Sequence, residues 1–553
     1  MEFIRPYCLS LSIILGFFSC QSQEKVDLLV HHATVYTVDK NFSKAEAFAI
    51  KDGLFVAVGS NEEILQMYQA DEVLDLQGAA VYPGFIDAHA HFYGYGTSLQ
   101  VADLTGTTSY EELIERVVQH RKLFPDQAWL LGRGWDQNLW ADKSFPTRLK
   151  LDELFPDIPV LLTRIDGHAA LANGQALKLG GVDASTSMLG GKVIVKDNSP
   201  TGVLIDNAIG LVSSKIPELS TEEKIKALLD AQTNCFSVGL TTVADAGLSR
   251  DIIELMEERQ EEGSLKIRIY AMISPSPEDK AYYFEKGPYQ TDRISVMGFK
   301  VFGDGALGSR GAALLQPYHD APDEYGFLLS SVEAFKKLAE EIYAHGFQMN
   351  THCIGDSTNR TLLDIYANVL KGKNDRRWRI EHAQIVNEQD VSKFGEHQII
   401  PSVQPTHATS DMYWAEDRLG PNRVKDAYIF KQLLDQNGYI ALGSDFPVES
   451  INPLYGFHAA VARQSAEGWP EDGFQKENSL TREEALRGMT IWAAYANFEE
   501  EKKGSIEADK FADFVILDQD IMEVPAGDLR NVTVRATYVG GEKVYLSHHW
   551  LGN

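Results

Sequence analysis

Six residues of this 553-residue chain carry side chains suited to metal chemistry, each within or just after an apolar run. They are His89 and His91 in FIDAHAHF, Lys300 in GFKVFGDG, His352 in NTHCIGD, His382 in RIEHAQ and Asp445 in ALGSDFP. In a β-strand, residues i and i+2 point to one face, so His89 and His91 project together, with Asp87 on that side as well. Two imidazoles side by side make half of a metal site. Single members have plainer readings: His382 as a satisfied core histidine, Asp445 as a helix N-cap before Pro447. Lys300 is the odd member. A lysine pointing into an apolar interior is costly when charged and unpaired. Burial and nearby cations lower its pKa. The neutral amine can take up carbon dioxide to give an anionic, bidentate carbamate that bridges two metals. The alternative is a lysine paired with Asp304.

These residues need a frame. The middle of the chain alternates apolar strand candidates with helical stretches. The strands read as AAVYPGFIDAHAH, LTTVADA, LKIRIYAMI, ISVMGFKVF, GFQMNTHC, WRIEHAQI, IIPSV and YIALGSDF, with helices such as VEAFKKLAEEIYAH between them. Repeated βα units of this number predict a parallel (β/α)8 barrel of the α/β class, the TIM barrel, over residues 83–97 and 220–498. Buried parallel strands should be continuous apolar runs, and these mostly are. Chemistry in such a barrel sits at the C-terminal strand ends. The six residues all fall at that rim.

Both ends of the chain have a different texture. Residues 24–82 and 499–553 read as short strands with turns, including Lys51-Asp52-Gly53 and Gly540-Gly541, and predict one composite β-sandwich. The interval from His91 to Leu240 is far longer than a βα connection. Residues 98–219 are therefore read as an inserted α+β subdomain after strand 1, over the barrel mouth. Trp135 and Trp140 in it are candidates for a lid wall, or for the subdomain's own core.

The net charge of −28 excludes nucleic acid and anionic membrane surfaces as expected partners. At the N-terminus, Arg5 precedes an apolar run of about 11 residues, too short to span a bilayer. It fits a signal peptide over residues 1–20. Ser19-Cys20 resembles a bacterial lipobox, which implies lipidation of Cys20 and a periplasmic, outer-membrane-anchored protein; a plain secretory signal is the alternative. The membrane is then met only through the lipid anchor. Cys235 and Cys353 read as buried structural thiols, not a disulfide framework.

With the motifs assembled, the chain resembles the metal-dependent amidohydrolase superfamily, in its YtcJ-like (amidohydrolase 3) branch. YPGFIDAHAHF, GFKVFGDGALGSRGA, NTHCIGD, RIEHAQ, VQPTHATSDMYWAEDRLG and ALGSDFPVESINPL match that branch in order. The resemblance implies one or two divalent metals, usually zinc. His89 and His91 would take one and His352 and His382 the other. Lys300, if N6-carboxylated, bridges them, and Asp445 is both ligand and proton acceptor. The implied reaction is hydrolysis of a non-peptide, amide-type carbon–nitrogen bond by metal-activated hydroxide, with Asp445 as proton shuttle. His168, Asp304, Arg310 and His407 are candidates for substrate contact, Arg310 as a carboxylate binder. Asp411 and Arg418 also match the branch. Rival readings are an ester or lactone hydrolase, a deaminase, or an inactive lipid-anchored binding protein. The expected partner is a small amide-type molecule; a homodimer stays an open alternative.

Overall fold

The computed structural model describes residues 23–548. The leader segment 1–20 and Cys20 lie outside the described residues. Eight parallel strands form the centre: β1 (Phe85–Ala90), β2 (Leu240–Leu248), β3 (Arg268–Ile273), β4 (Ile294–Phe302), β5 (Gln348–Cys353), β6 (Arg379–His382), β7 (Ile400–Val403) and β8 (Ala441–Leu442). They pair in chain order, each parallel to the next. This is a (β/α)8 barrel. β1, β3, β5, β6, β7 and β8 are buried at every position. That is why their sequences run apolar without alternation. Helices cover the outside. The helix Val332–Ala344 starts where Ser331 accepts the Ala334 N–H, and it buries Phe335, Ala339 and Ile342 along one stripe. Phe335 and Ile342 each contribute about 1.5–3 kcal/mol on burial.

The barrel closes between its first and last strands, and the closure is what brings the ends of the chemistry together. β8 has two residues only. Beyond it, His91 N–H donates to Phe446 O at 2.8 Å and Asp445 N–H to His89 O at 2.7 Å. A side chain completes the seam. The Asp87 carboxylate accepts from Ser444 N–H (3.0 Å), Ser444 Oγ–H (2.6 Å) and His89 N–H (3.1 Å). Gly443 is required there, because a Cβ would stand 2.5 Å from His89 N. Asp87, expected beside the two histidines, therefore serves the seam instead.

The run AAVYPGFIDAHAH is two strands, not one. Ala80–Pro83 pairs with Thr34–Tyr36 and Phe514–Leu517 in a sheet outside the barrel, and Phe85 then begins β1. The break is Gly84, where a Cβ would lie 2.3 Å from Thr241 Oγ1. Strands from both ends of the chain share this outer sheet with Lys44–Ala45, Val534–Val539 and Glu542–Leu546. A second sheet holds Glu24–His31, Ala47–Lys51, Leu54–Gly59 and Tyr68–Asp75. Leu28, Val30, Phe48, Phe55, Val81 and Phe514 pack together between the two. A buried ion pair, Arg268 to Asp513 at 2.6 Å, ties β3 to the outer sheet.

Between β1 and β2 lies a further sheet of six strands: Ala102–Asp103, Leu130–Trp135, Val160–Arg164, Ala169–Ala172, Gly191–Lys196 and Ser199–Asp206. Trp135 and Trp140 sit in its core with Leu104, Val117, Leu162 and Leu171. Their indole N–H groups donate to Leu162 O and Thr107 O, so neither is a lid wall. Cys235 and Cys353 are free and buried. Among the described residues, no helix is long and apolar enough to cross a membrane.

Candidate metal centre and active site

His89 ends in a fully buried position at the base of the rim. Its Nδ1–H donates to Glu381 Oε2 at 2.5 Å, which turns Nε2 towards the rim, where Lys300 Nζ also approaches it. His91 is held the same way, through Nδ1–H to Ala246 O at 3.0 Å. The backbone after it is anchored by Asp245 on β2, whose carboxylate accepts the Phe92 and Tyr93 N–H groups at 3.0 Å. The two Nε2 atoms face one carboxylate oxygen. Asp445 Oδ1 lies 3.2 Å from His91 Nε2 and 3.6 Å from His89 Nε2. His382 Nδ1–H donates to Gln404 Oε1 at 2.6 Å, again leaving Nε2 free. His352 is turned the other way. Its Nε2 faces Gly305 O at 3.4 Å and Asp304 Oδ1 at 3.6 Å, so Nδ1 is the atom left over. The rings of His89 and His352 stand 4.9 and 4.5 Å from that of His382, centroid to centroid.

Two of these residues sit on unusual backbone. His382 and Asp445 have φ of 70° and 63°, the left-handed region that side chains other than glycine seldom adopt. Strain of this kind persists where the surroundings enforce it, and it is common at functional sites. Here it re-aims each side chain at the end of its strand.

The electrostatics favour ligand states. Burial pushes the His352 and His382 imidazoles well below their usual range, so both are neutral. Burial opposes ionisation of Asp445, but the closeness of His91, His89 and His382 holds it well below the carboxylate range. Neutral imidazoles and an ionised carboxylate are what a divalent cation requires. His89, His91 and Asp445 place one donor atom each within 4.8 Å of one another, and so do His382, His407 and Asp445. Asp445 Oδ1 is buried without a hydrogen-bond partner. Lone pairs converging on a buried oxygen with no donor are satisfied by a cation, and the donor set fits one.

Lys300 lies on the floor, 1% exposed. Its Nζ is 2.9 Å from His89 Nε2. It is not paired with Asp304, whose carboxylate instead accepts from Ala313, Ile354 and Gly355 N–H and from the Thr358 hydroxyl. Burial pushes the Lys300 amine down from its usual value.

Above the floor opens a cavity of about 700 Å³. His352, His382, His407 and Asp445 line its base, and His168 reaches it from the inserted sheet. His168 is fixed by Nδ1–H to Asp206 at 2.6 Å and its ring lies 4.9 Å from that of His352. His407 faces Asp445 Oδ2 at 3.7 Å, with its Nε2 otherwise buried and unpartnered. The other two proposed substrate contacts are elsewhere. Asp304 is fully buried behind His352 and braces the loop after β5, because four donors already surround it. Arg310 does not line the cavity. It pairs with Asp320 at 2.7 Å in a separate surface cleft with Arg418. Asp411 lines the cavity and accepts the Tyr428 hydroxyl at 2.7 Å.

Sequence reasoning gave no role to Glu381, Gln404, Asp206 or Arg133. A signal existed for Glu381: Arg379 and Glu381 share one face of β6 by period, and a buried acid and base two apart face inward together. Gln404 and Asp206 carried no such signal.

Comparison with known proteins places this geometry. The model of the Amidohydrolase family matches residues 72–545. The putative amidohydrolase YtcJ of Bacillus subtilis is 31% identical over 530 residues, covering 93% of this chain and 98% of that one. The N-substituted formamide deformylase of Arthrobacter pascens is 29% identical over 542 residues, covering 93% and 97%. Among solved structures, an uncharacterized metal-dependent hydrolase from Pyrococcus horikoshii OT3 superposes with a TM-score of 0.74 at 27% identity, covering 90% of this chain and 99% of that one.

Proposed function

This chain belongs to the amidohydrolase family and is a metal-binding hydrolase of carbon–nitrogen bonds; from that premise we propose that its substrate is a small, non-peptide amide and that Asp445 shuttles the proton. One observation carries the reading: Asp445 Oδ1 is buried and unpartnered, and two oriented imidazole nitrogens face it within 3.6 Å. The amide class is supported by the relative named as a formamide deformylase.

His89, His91, His352, His382 and Asp445 would hold one or two divalent ions, zinc in this proposal. N-carboxylation of the buried Lys300 would add a bridging anion beside His89. A bound divalent ion acidifies water and polarises a carbonyl oxygen. The protein's own groups do the rest. Asp445, facing the cavity with its charge intact, accepts the proton of the attacking water and returns it to the leaving nitrogen. His168 and His407 line the cavity next to His352 and Asp445, within reach of the substrate's carbonyl group. Residues of the inserted segment, Arg133 and His168 among them, line the cavity wall and limit bulk water there.

The test is a substrate panel: N-substituted formamides and N-acyl amides, with matched esters and lactones and with aminopurines. Amide hydrolysis at least tenfold above ester hydrolysis, lost in Asp445→Asn, supports the reading. Ester, lactone or aminopurine turnover exceeding every amide would replace it.

A further inference from the structure

We propose that the cavity is built for a substrate carrying an anionic group, a carboxylate foremost, and that Arg133 of the inserted sheet receives it. This rests on the amide-hydrolase reading and names the substrate class within it.

Arg133 lies in the strand Leu130–Trp135, between two glycines that let that strand approach the loop at 104–105. A Cβ on Gly134 would stand 2.4 Å from Thr105 Oγ1, and one on Gly132 would stand 3.0 Å from Leu104 Cδ1. Only the side chain between them projects, and it lines the cavity. One guanidinium donor is used, Nη2–H to Ile165 O at 3.0 Å. Its Nε is buried with no partner. Among the described residues it forms no ion pair within 4.0 Å.

Arg164, on the neighbouring strand, shows the contrast. It holds both nearby acids, Asp166 at 2.5 Å and Asp136, and its Nε–H donates to Gln137 at 2.8 Å. The acids that could neutralise Arg133 are therefore engaged. Of the other carboxylates on the cavity wall, Asp103 accepts from Thr105 N–H, Asp411 from the Tyr428 hydroxyl and Glu449 from Ser410, while Asp445 faces the histidines and stands too far from Arg133 to pair with it. A half-buried guanidinium with an unpartnered Nε and no ion pair carries a desolvation cost, and a carboxylate in the cavity offsets it through parallel N–H···O bonds. Arg310, the carboxylate binder suggested by sequence, has its own partner, Asp320, outside the cavity.

The experiment compares substrate pairs that differ only in the anion: N-formyl and N-benzoyl amino acids against their methyl esters. It uses the full, metal-loaded chain and the variants Arg133→Gln and Arg133→Lys. The wild type should favour the acids. Arg133→Gln should lose roughly 10- to 100-fold in kcat/KM on the acids, mostly through KM, and under about threefold on the esters. Arg133→Lys should recover part of the loss. Calorimetry of N-benzoylglycine and its ester with Asp445→Asn reads binding without turnover. Tighter binding of the acid with no amide hydrolysed by the wild type would sink the amide reading and keep the anion site. Amides cleaved without acid preference, or acid and ester weakened equally by Arg133→Gln, would remove the anion site alone. Neither binding nor turnover of any pair counts against both.

Discussion

Each imidazole at this centre is aimed by a second residue. Glu381 takes the far nitrogen of His89, Gln404 that of His382, and Ala246 O that of His91. Such partners fix the tautomer and raise ligand basicity. Glu381→Gln is therefore expected to weaken zinc binding roughly 10- to 100-fold in a competitive chelator titration, with the fold unchanged by circular dichroism. Asp445→Asn should lower kcat by about 10²–10⁴-fold, read on whichever amide the panel identifies. The residues that gather at the rim were legible in the sequence because their types are unusual at strand ends and their period is fixed. Their orienters were not: a glutamine after a strand or a glutamate before a histidine is ordinary until three dimensions pair them. Arg133 was hidden for a similar reason, since Gly-Arg-Gly reads as strand and nothing local says that the arginine lacks an acid.

At the scale of elements, the seam between β1 and β8 aligns the centre. Gly443→Ala forces a Cβ against His89 N, which is backbone and cannot yield cheaply. A loss of about 1–3 kcal/mol in urea unfolding is expected, with reduced metal affinity in the same protein. The helix Pro453–Ala462 after β8 gives a pH test away from the centre. His458 is 2% exposed, its Nδ1 is unpartnered, and burial followed by the Arg530 charge pushes its pKa from 6.5 to about 4. Below pH 6.5 the unfolded chain takes a proton that the folded chain refuses. The stability from this group is thus complete above pH 6.5 and falls as pH drops towards 4, by about 1.4 kcal/mol per unit. His458→Gln should flatten that acid limb of the stability curve; an unchanged slope would mean that other groups set it. The eight strands were legible because burial on both faces writes continuous apolar runs. The split of AAVYPGFIDAHAH at Gly84 was not, because the reason lies on Thr241, far along the chain.

At the scale of the molecule, the inserted segment and the barrel are joined by polar contacts. Arg418 donates to Asn138 at 2.9 Å, Lys143 faces Asp417 at 3.5 Å and Lys192 meets Glu324 at 2.5 Å. The insertion was legible as an interval too long for a βα connection, but its delivery of His168 and Arg133 to one cavity required the fold. We also propose export and anchoring through Cys20. Cys20→Ser should move the protein from the membrane to the soluble fraction, and a variant still sedimenting with membranes would end that proposal.

The most direct measurement is metal content, by elemental analysis of the purified chain and of the His89→Ala/His91→Ala variant, with bicarbonate present. One to two divalent ions per wild-type chain, reduced in the variant alongside lost amide hydrolysis, is the expected result. No bound ion in an active wild type, or the same ion content in both proteins, would contradict a metal centre at His89, His91 and Asp445.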